Sequence, residues 1–384
     1  MRVVNGLSPW DSDVSLGTLI PAVDPAGLTQ VAGLLATRGL GLDADIEVFV
    51  TAHADGRLIG CMGLAGVVVK CAAIDEDAQG AGIAARLMER LNYEALDRGR
   101  ANLFVFTTPC NRAVFETLGF TTLAHTSRAV LLENTPFGLA DYRRELRRHR
   151  RAADRVGAIV LNANPFTLGH RHLVSIAADA LDVLHVFVVA EDASLFGTDE
   201  RLRLVRAGVA ELGLGDRVVV HPGSRYIVSR ATFPDYFLTR ESERDDAAAG
   251  LDLQLFRTAI APELGVTDRF VGTEPYSAVT AAYNDQMRRW LAAPVMPTPS
   301  PLQLRPPSLA STPTPGLRRQ ADAPAITVHE VPRLELDGMP ISASRVRDAI
   351  GAGDLNAAAR LVPTPTLESI RTLFFADSQE PSCE

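Results

Sequence analysis

The segment Asn162-Ala-Asn164-Pro-Phe166-Thr167-Leu-Gly169-His170 sets a hydroxyl and an imidazole three residues apart, where an apolar run gives way to a helical pattern. At a helix N-terminus both groups stand on one side, beside unpaired backbone N–H donors and the positive end of the helix dipole. Such a constellation can face an anion. Moving a nucleotide's α-phosphate asks for little covalent chemistry from a protein. It needs positioning, and donors aimed at the charge that spreads over the phosphoryl oxygens. Taken alone, T-x-G-H also suits a capping threonine and a histidine satisfied by ordinary hydrogen bonds. A second segment, Ile341-Ser342-Ala-Ser344-Arg-Val-Arg347, gathers two hydroxyls and two guanidiniums at another predicted helix start. Those groups suit the β- and γ-phosphates of a triphosphate.

A third segment is Gln79-Gly80-Ala-Gly82-Ile-Ala84. Two glycines between a strand and a helix let the backbone approach a ligand closely, and the helix start supplies N–H donors for a pyrophosphate. A tight turn with no ligand would use the same glycines. Weaker candidates are Arg225, Ser229 and Arg230 in Gly223-Ser-Arg-Tyr-Ile-Val-Ser-Arg-Ala-Thr-Phe233, which could contact an acid or a phosphate, or simply close a loop. Lys70, the single lysine of the chain, could face a ligand's phosphates beside the Gly-rich turn, but reads first as a surface side chain that keeps its amine in water.

The elements that must carry these groups can be read from periodicity. Ile46–Ala52 and Arg57–Gly63 form a hairpin around Ala54-Asp55-Gly56, and Val67–Ile74 is a third strand. A helix over residues 82–98 shows Ile83, Leu87, Leu91 and Leu96 on one face. Leu103–Thr107 and Arg128–Leu132 are strands flanking a short helix at Arg112–Leu118. Asp141–Arg155 holds seven arginines against three acidic residues on a predicted helix, which suits a patch for a phosphate or an acidic partner but reads first as a solvated connecting helix. From Val156 strands and helices alternate again: strands at Val156–Leu161, Val183–Ala190, Val218–His221, Arg269–Val271 and Ile326–Val331. That alternation predicts a parallel, doubly wound sheet. Nine of the 24 prolines fall between Pro294 and Pro324, which predicts an exposed, extended insertion within the second domain.

The order Q-x-x-G-x-A, followed by Asn111, Phe115 and Gly119-Phe120, resembles the GNAT acyltransferase family over residues 45–132. The resemblance implies a site for CoA-like pantetheine and its pyrophosphate at Gln79, Gly80, Gly82, Ala84 and Asn111. No convincing general base for acetyl transfer stands out in this half. A strand–T-x-G-H–helix unit paired with a late I-S-x-S-x-x-R resembles the nucleotidylyltransferase superfamily, a Rossmann-like fold that cleaves ATP between its α- and β-phosphates. His170 and Thr167 then fall on the catalytic positions. Asn162, Asn164, Phe166, Gly169, Gly272, Glu274, Ser342, Ser344 and Arg347 fall on the ATP-binding ones. The expected fold is thus α/β, with a GNAT-like α/β domain at 1–135, an Arg-rich connecting helix at 136–155, and a Rossmann-like doubly wound domain at 156–384 carrying the insertion 294–325.

Both halves in this order resemble the citrate lyase ligase family, through segments such as KCAAIDEDAQGAGIAARLM, GAIVLNANPFTLGHRHLV, EDASLF and VGTEPYSAVTAAYN. The resemblance implies ATP with Mg²⁺, acetate activated as acetyl-adenylate, and a CoA-like prosthetic group on the acyl carrier subunit of citrate lyase as acceptor. No protein ligand for Mg²⁺ can be assigned. The insertion departs from the family, which joins those segments by a shorter link. Two other readings share the motifs: an adenylyltransferase of cofactor biosynthesis with a regulatory GNAT domain, and an acetyl-CoA-sensing binding module.

Composition sets outer bounds. At 384 residues and 47% hydrophobic, the chain has material for two or three domains with buried cores. A formal charge of −8 argues against a nucleic-acid-binding protein. The scattered Cys61, Cys71, Cys110 and Cys383 show no zinc-ligand spacing, and the first residues lack the apolar stretch of a signal peptide. A cytoplasmic protein without a membrane span is expected.

Overall fold

The structure is a computed structural model describing residues 14–190, 194–227, 233, 234, 236–238, 240–273, 278–293 and 323–375. The described residues fall into two compact units: those up to Ala140 together with Phe233–Leu251, and the remainder.

The first unit is a mixed sheet of β1 (Ser15–Leu19), β2 (Val48–Ala54), β3 (Arg57–Ala65), β4 (Val68–Ile74), β5 (Phe104–Thr107), β6 (Thr121–His125) and β7 (Val130–Glu133). Its strand order is β1-β2-β3-β4-β5-β7-β6. The β2–β3 turn is the one expected, with Asp55 and Gly56 both at positive φ (50° and 74°), as a two-residue hairpin requires. β4 and β5 are parallel and pair only at Val68–Phe104 and Val69–Val105, so the two strands separate toward their C-terminal ends. The helix Ile83–Asp97 buries Ile83, Leu87, Met88, Leu91 and Ala95 on one face of the sheet. Leu96 is 56% exposed, one position off that stripe. The other face is covered by the helix Pro25–Thr37.

The second unit is a wholly parallel sheet of β8 (Val156–Leu161), β9 (Val183–Val188), β10 (Val218–His221), β11 (Asp268–Gly272) and β12 (Thr327–Val331), in the order β10-β9-β8-β11-β12. β8 and β9 are nearly continuous apolar runs because helices cover both faces of such a sheet. The order reverses between β8 and β11, and ligands of open α/β sheets bind outside the carboxyl ends of strands at that switch. The predicted strands of this unit all form.

Three expectations are corrected. Phe233–Leu251 belongs to the first unit, although the sequence places it in the second domain. The cause is an aromatic cluster: Phe233 meets Phe106 edge to face at 5.4 Å, and the Tyr236 hydroxyl donates to the Phe106 carbonyl at 2.7 Å. The Arg-rich segment is helical over Gly138–Arg148 but not simply solvated, since Arg143 and Arg147 both bind the buried Glu263 carboxylate. That pair of guanidiniums holds Glu263 below the usual carboxylate range despite its burial. Lys70 is buried rather than snorkelling, with its amine between Asp43 (3.1 Å) and Asp45 (2.7 Å). Most of the proline-rich insertion lies outside the described residues. Among the described residues no helix is long and apolar enough to cross a membrane.

Candidate active site

β8 ends at Leu161, and the chain turns through Asn162–Phe166, with a cis Asn164–Pro165 peptide, into the helix Leu168–Ala180. Thr167 is the N-cap. Its Oγ accepts from the His170 N–H at 3.3 Å, and its own N–H donates to His170 Nδ1 at 3.0 Å. This reciprocal cap fixes the ring. Because Nδ1 accepts from a backbone N–H, the proton of the neutral imidazole sits on Nε2, which is thereby a donor. Desolvation, with the positive Arg333 nearby, pushes the His170 pKa down to about 4. The imidazole is therefore neutral at physiological pH.

The second motif packs onto this turn. A Cβ added to Gly169 would lie 2.8 Å from the Ile341 carbonyl, so only glycine lets the two segments meet. Arg347 reaches across to donate to the Asn164 carbonyl at 2.7 Å and bonds Ser344 Oγ at 3.1 Å. Ser342 caps the helix Ala343–Gly351 by accepting from the Arg345 N–H. The structure thus brings together Thr167, Gly169, His170, Ser342, Ser344 and Arg347.

It also divides them by task. Thr167 is only 1% exposed, so its hydroxyl holds His170 instead of facing a ligand. Phe166 is fully buried, stacks on the His170 ring at 5.7 Å and fills the space beside Gly208. Its ring therefore supports the imidazole from the core side. Asn162 and Asn164 shape the loop: Asn164 Oδ1 accepts from the Phe196 N–H, and Arg201 grips Asn162 through both its carbonyl (2.7 Å) and Oδ1 (2.9 Å). Gly272 ends β11 with open space where a Cβ would stand. Glu274, Ser229 and Arg230 lie outside the described residues. Arg225 is exposed on a turn after β10, away from this cluster.

Two residues escaped the sequence reading. Arg201 is fully buried and also binds the carbonyls of Val189 and Phe196, so one guanidinium ties together the loops after β8 and β9. Arg333 donates to the Thr273 carbonyl at 2.6 Å, next to Gly272, and its charge is felt by His170. Neither stands in a motif; each is found only once the strands are ordered. Among the described residues no group of three or more His, Cys, Asp or Glu could hold a metal ion.

In the first unit, Gly80 and Gly82 have positive φ (81° and 72°), with open space where a Cβ would stand. Gly82 starts the helix Ile83–Asp97 without a side-chain cap, so the first-turn amides, Ala84 among them, keep their donors. Gln79 is exposed beside them. Asn111 is turned back, its amide on Thr107 Oγ at 3.2 Å. Where β4 and β5 separate, the Phe106 carbonyl is taken by Tyr236.

The fold and this arrangement define a class: a GNAT-type unit joined to an α/β unit with a capped histidine and an arginine-bearing helix at its topological switch. Comparison with known proteins agrees. The GNAT acetyltransferase domain model matches residues 45–122, and the model of the citrate lyase ligase C-terminal domain matches residues 156–370. The chain is 43% identical to the [citrate [pro-3S]-lyase] ligase of Klebsiella pneumoniae, over 88% of this chain and 91% of that protein. It is 40% identical to the enzyme of the same name from Escherichia coli (strain K12), over 92% and 93% of the two chains. The chain therefore belongs to the citrate lyase ligase family and is a ligase.

Proposed function

We propose that this protein activates citrate lyase by acetylating the thiol of the prosthetic group on its acyl carrier subunit, using ATP and acetate. The names of the relatives supply the target. The observation that carries the chemistry is the neutral His170, capped by Thr167 and overlaid by Ile341–Arg347, at the carboxyl rim of a parallel sheet.

The reaction on this reading has two steps. An acetate oxygen attacks the α-phosphorus of ATP, the α–β bridge breaks, and pyrophosphate leaves. His170 Nε2–H and the amides of the helix Leu168–Ala180 bear on the charge that develops there. Thr167 and Asn164 are positioning residues for that donor and its loop. Ser342, Ser344 and Arg347 hold the pyrophosphate tail, and Gly272 and Glu274 the adenosine. Mg²⁺ bound to the triphosphate would neutralise part of its charge, and no residue of the chain is assigned to hold it. The thiol then attacks the acetyl carbonyl, the thioester forms, AMP leaves with the bonding pair, and the thiol proton passes to solvent.

Gln79, Gly80, Gly82 and Ala84 are read as a cradle for the adenosine-side phosphate of the CoA-like acceptor group, with Asn111 at its edge; Arg225, Ser229 and Arg230 remain candidates for acid or phosphate contact. Tyr236 in the gap between β4 and β5 favours a docking role for this unit over acetyl transfer. The test is formation of an acetyl thioester on the thiol form of the carrier subunit. It should require ATP and acetate together. Transfer from acetyl-CoA without ATP would overturn the reading.

A further inference from the structure

A cavity of about 480 Å³ opens in the second unit, lined by Tyr142, Glu145, His149, Arg206, His221 and Arg225 among others. None of its walls comes from the two phosphate-type motifs. Its size falls within the ~300–1,000 Å³ of small-molecule sites, more room than a two-carbon acid needs.

Its place follows from topology. β8, β9 and β10 are parallel neighbours, so the loops after them share one rim of the sheet. Asn162 after β8 is gripped by Arg201, which also binds Val189 after β9. Gly223 after β10 packs so tightly there that a Cβ would collide with the Ala190 nitrogen. The cavity begins at that loop. It therefore stands two strands from the histidine loop, on the rim where the nucleotide chemistry is placed.

The chemistry of the walls is specific. Arg206 and Arg225 are both exposed, and among the described residues neither guanidinium is paired with a carboxylate. The Tyr142 hydroxyl is buried in this wall, with Ser224 as its neighbour. The Tyr142 and Tyr226 rings stack at 5.2 Å and give an apolar wall. On the sheet side His221 Nε2 is bonded to Nδ1 of the buried His185 at 2.9 Å, which fixes that surface. Two guanidiniums with no carboxylate partner among the described residues, a tyrosine hydroxyl and an aromatic wall suit a ligand with a phosphate and an uncharged stem.

We propose that this cavity binds the phosphate-bearing pantetheine stretch of the acyl acceptor, with Arg206 and Arg225 on the phosphate and Tyr142 on the stem. The proposal rests on the ligase reading for the identity of that arm. The probe is 4′-phosphopantetheine, which lacks adenosine, titrated calorimetrically into the full chain with the nucleotide site saturated by a non-hydrolysable ATP analogue. Binding should survive the analogue. It should weaken about tenfold or more in Arg206→Gln and in Arg225→Gln, and by a similar factor for pantetheine without its phosphate. Unchanged binding in both variants, loss of binding on adding the analogue, or no binding to the wild type would overturn it. Acetate-dependent pyrophosphate release by the same preparation, without the probe, tests the ligase reading separately. If release fails while the arginine-dependent binding stands, the ligase reading falls and the phosphate pocket does not.

Discussion

Gly169 lies so close to Ile341 that a methyl group on its Cα would stand 2.8 Å from the Ile341 carbonyl. That contact registers the histidine helix against the helix bearing Arg347. Gly169→Ala must push the two apart, at a cost of ~1–3 kcal/mol if the backbone yields. The expected result is a modest fall in melting temperature and a larger, at least tenfold, fall in adenylate formation. Equal turnover in the variant would show that the register of the two helices does not matter.

The pH profile tests the state of His170. Its folded pKa, about 4, lies below the ordinary value of 6.5, so the ring stays neutral as pH falls through 6.5 and protonates only near 4. The His170 contribution to adenylate formation should be flat from pH 8 to about 5, then change. A limb near pH 6.5 that disappears in His170→Gln would contradict a neutral donor. By linkage, the unfolded chain takes up this proton first, so stability is lost as pH falls from 6.5 toward 4. Loss of that acid sensitivity in His170→Gln, followed by thermal melts, is expected.

Tyr236 bears on the role of the GNAT-type unit. Its hydroxyl meets the Phe106 carbonyl where β4 has left β5. Tyr236→Phe removes one buried hydrogen bond, worth ~1 kcal/mol plus the orphaned carbonyl. ATP-dependent thioester formation should persist and acetyl-CoA should remain no donor. Acetyl transfer from acetyl-CoA by the wild type would defeat the docking role.

The insertion leaves and returns at bonded points. Ile326 donates its N–H to the Leu291 carbonyl at 2.9 Å, and the buried Arg257 binds the carbonyls of Trp290, Ala323 and Pro324. Replacing residues 295–321 by a short Gly-Ser link should leave the melting temperature near that of wild type and adenylate formation within twofold, since the cost of loop closure changes only slowly with length. Replacing Arg257 by Met should instead lower the melting temperature clearly, because three buried carbonyls lose their donor.

How much of this was legible in the sequence depends on how local each feature is. The histidine loop and the serine–arginine helix could be read because a strand or turn signal and a helix start bracket each one. The parallel sheet followed from alternation alone. Arg201, Arg333 and Tyr236 could not be found that way. Each acts on a residue tens of positions distant, and no spacing rule links them. The same holds for Phe233–Leu251, whose aromatic residues look like second-domain core until their partners in β5 are known. The burial of Phe166 was hidden for a related reason: a motif position says nothing about which way its ring is buried. The helix Pro25–Thr37 was readable from Asp24-Pro25, a cap followed by proline at the first helical position, and was overlooked.

The central claim is that His170 and the Ile341–Arg347 helix form an adenylate-forming site. Pyrophosphate release by the purified full chain with ATP and Mg²⁺, with and without acetate, tests it most directly. The account predicts release that depends on acetate and falls about 10²–10³-fold in His170→Ala with the melting temperature held near wild type. Release indifferent to acetate, or a His170→Ala variant with near-normal turnover, would contradict it.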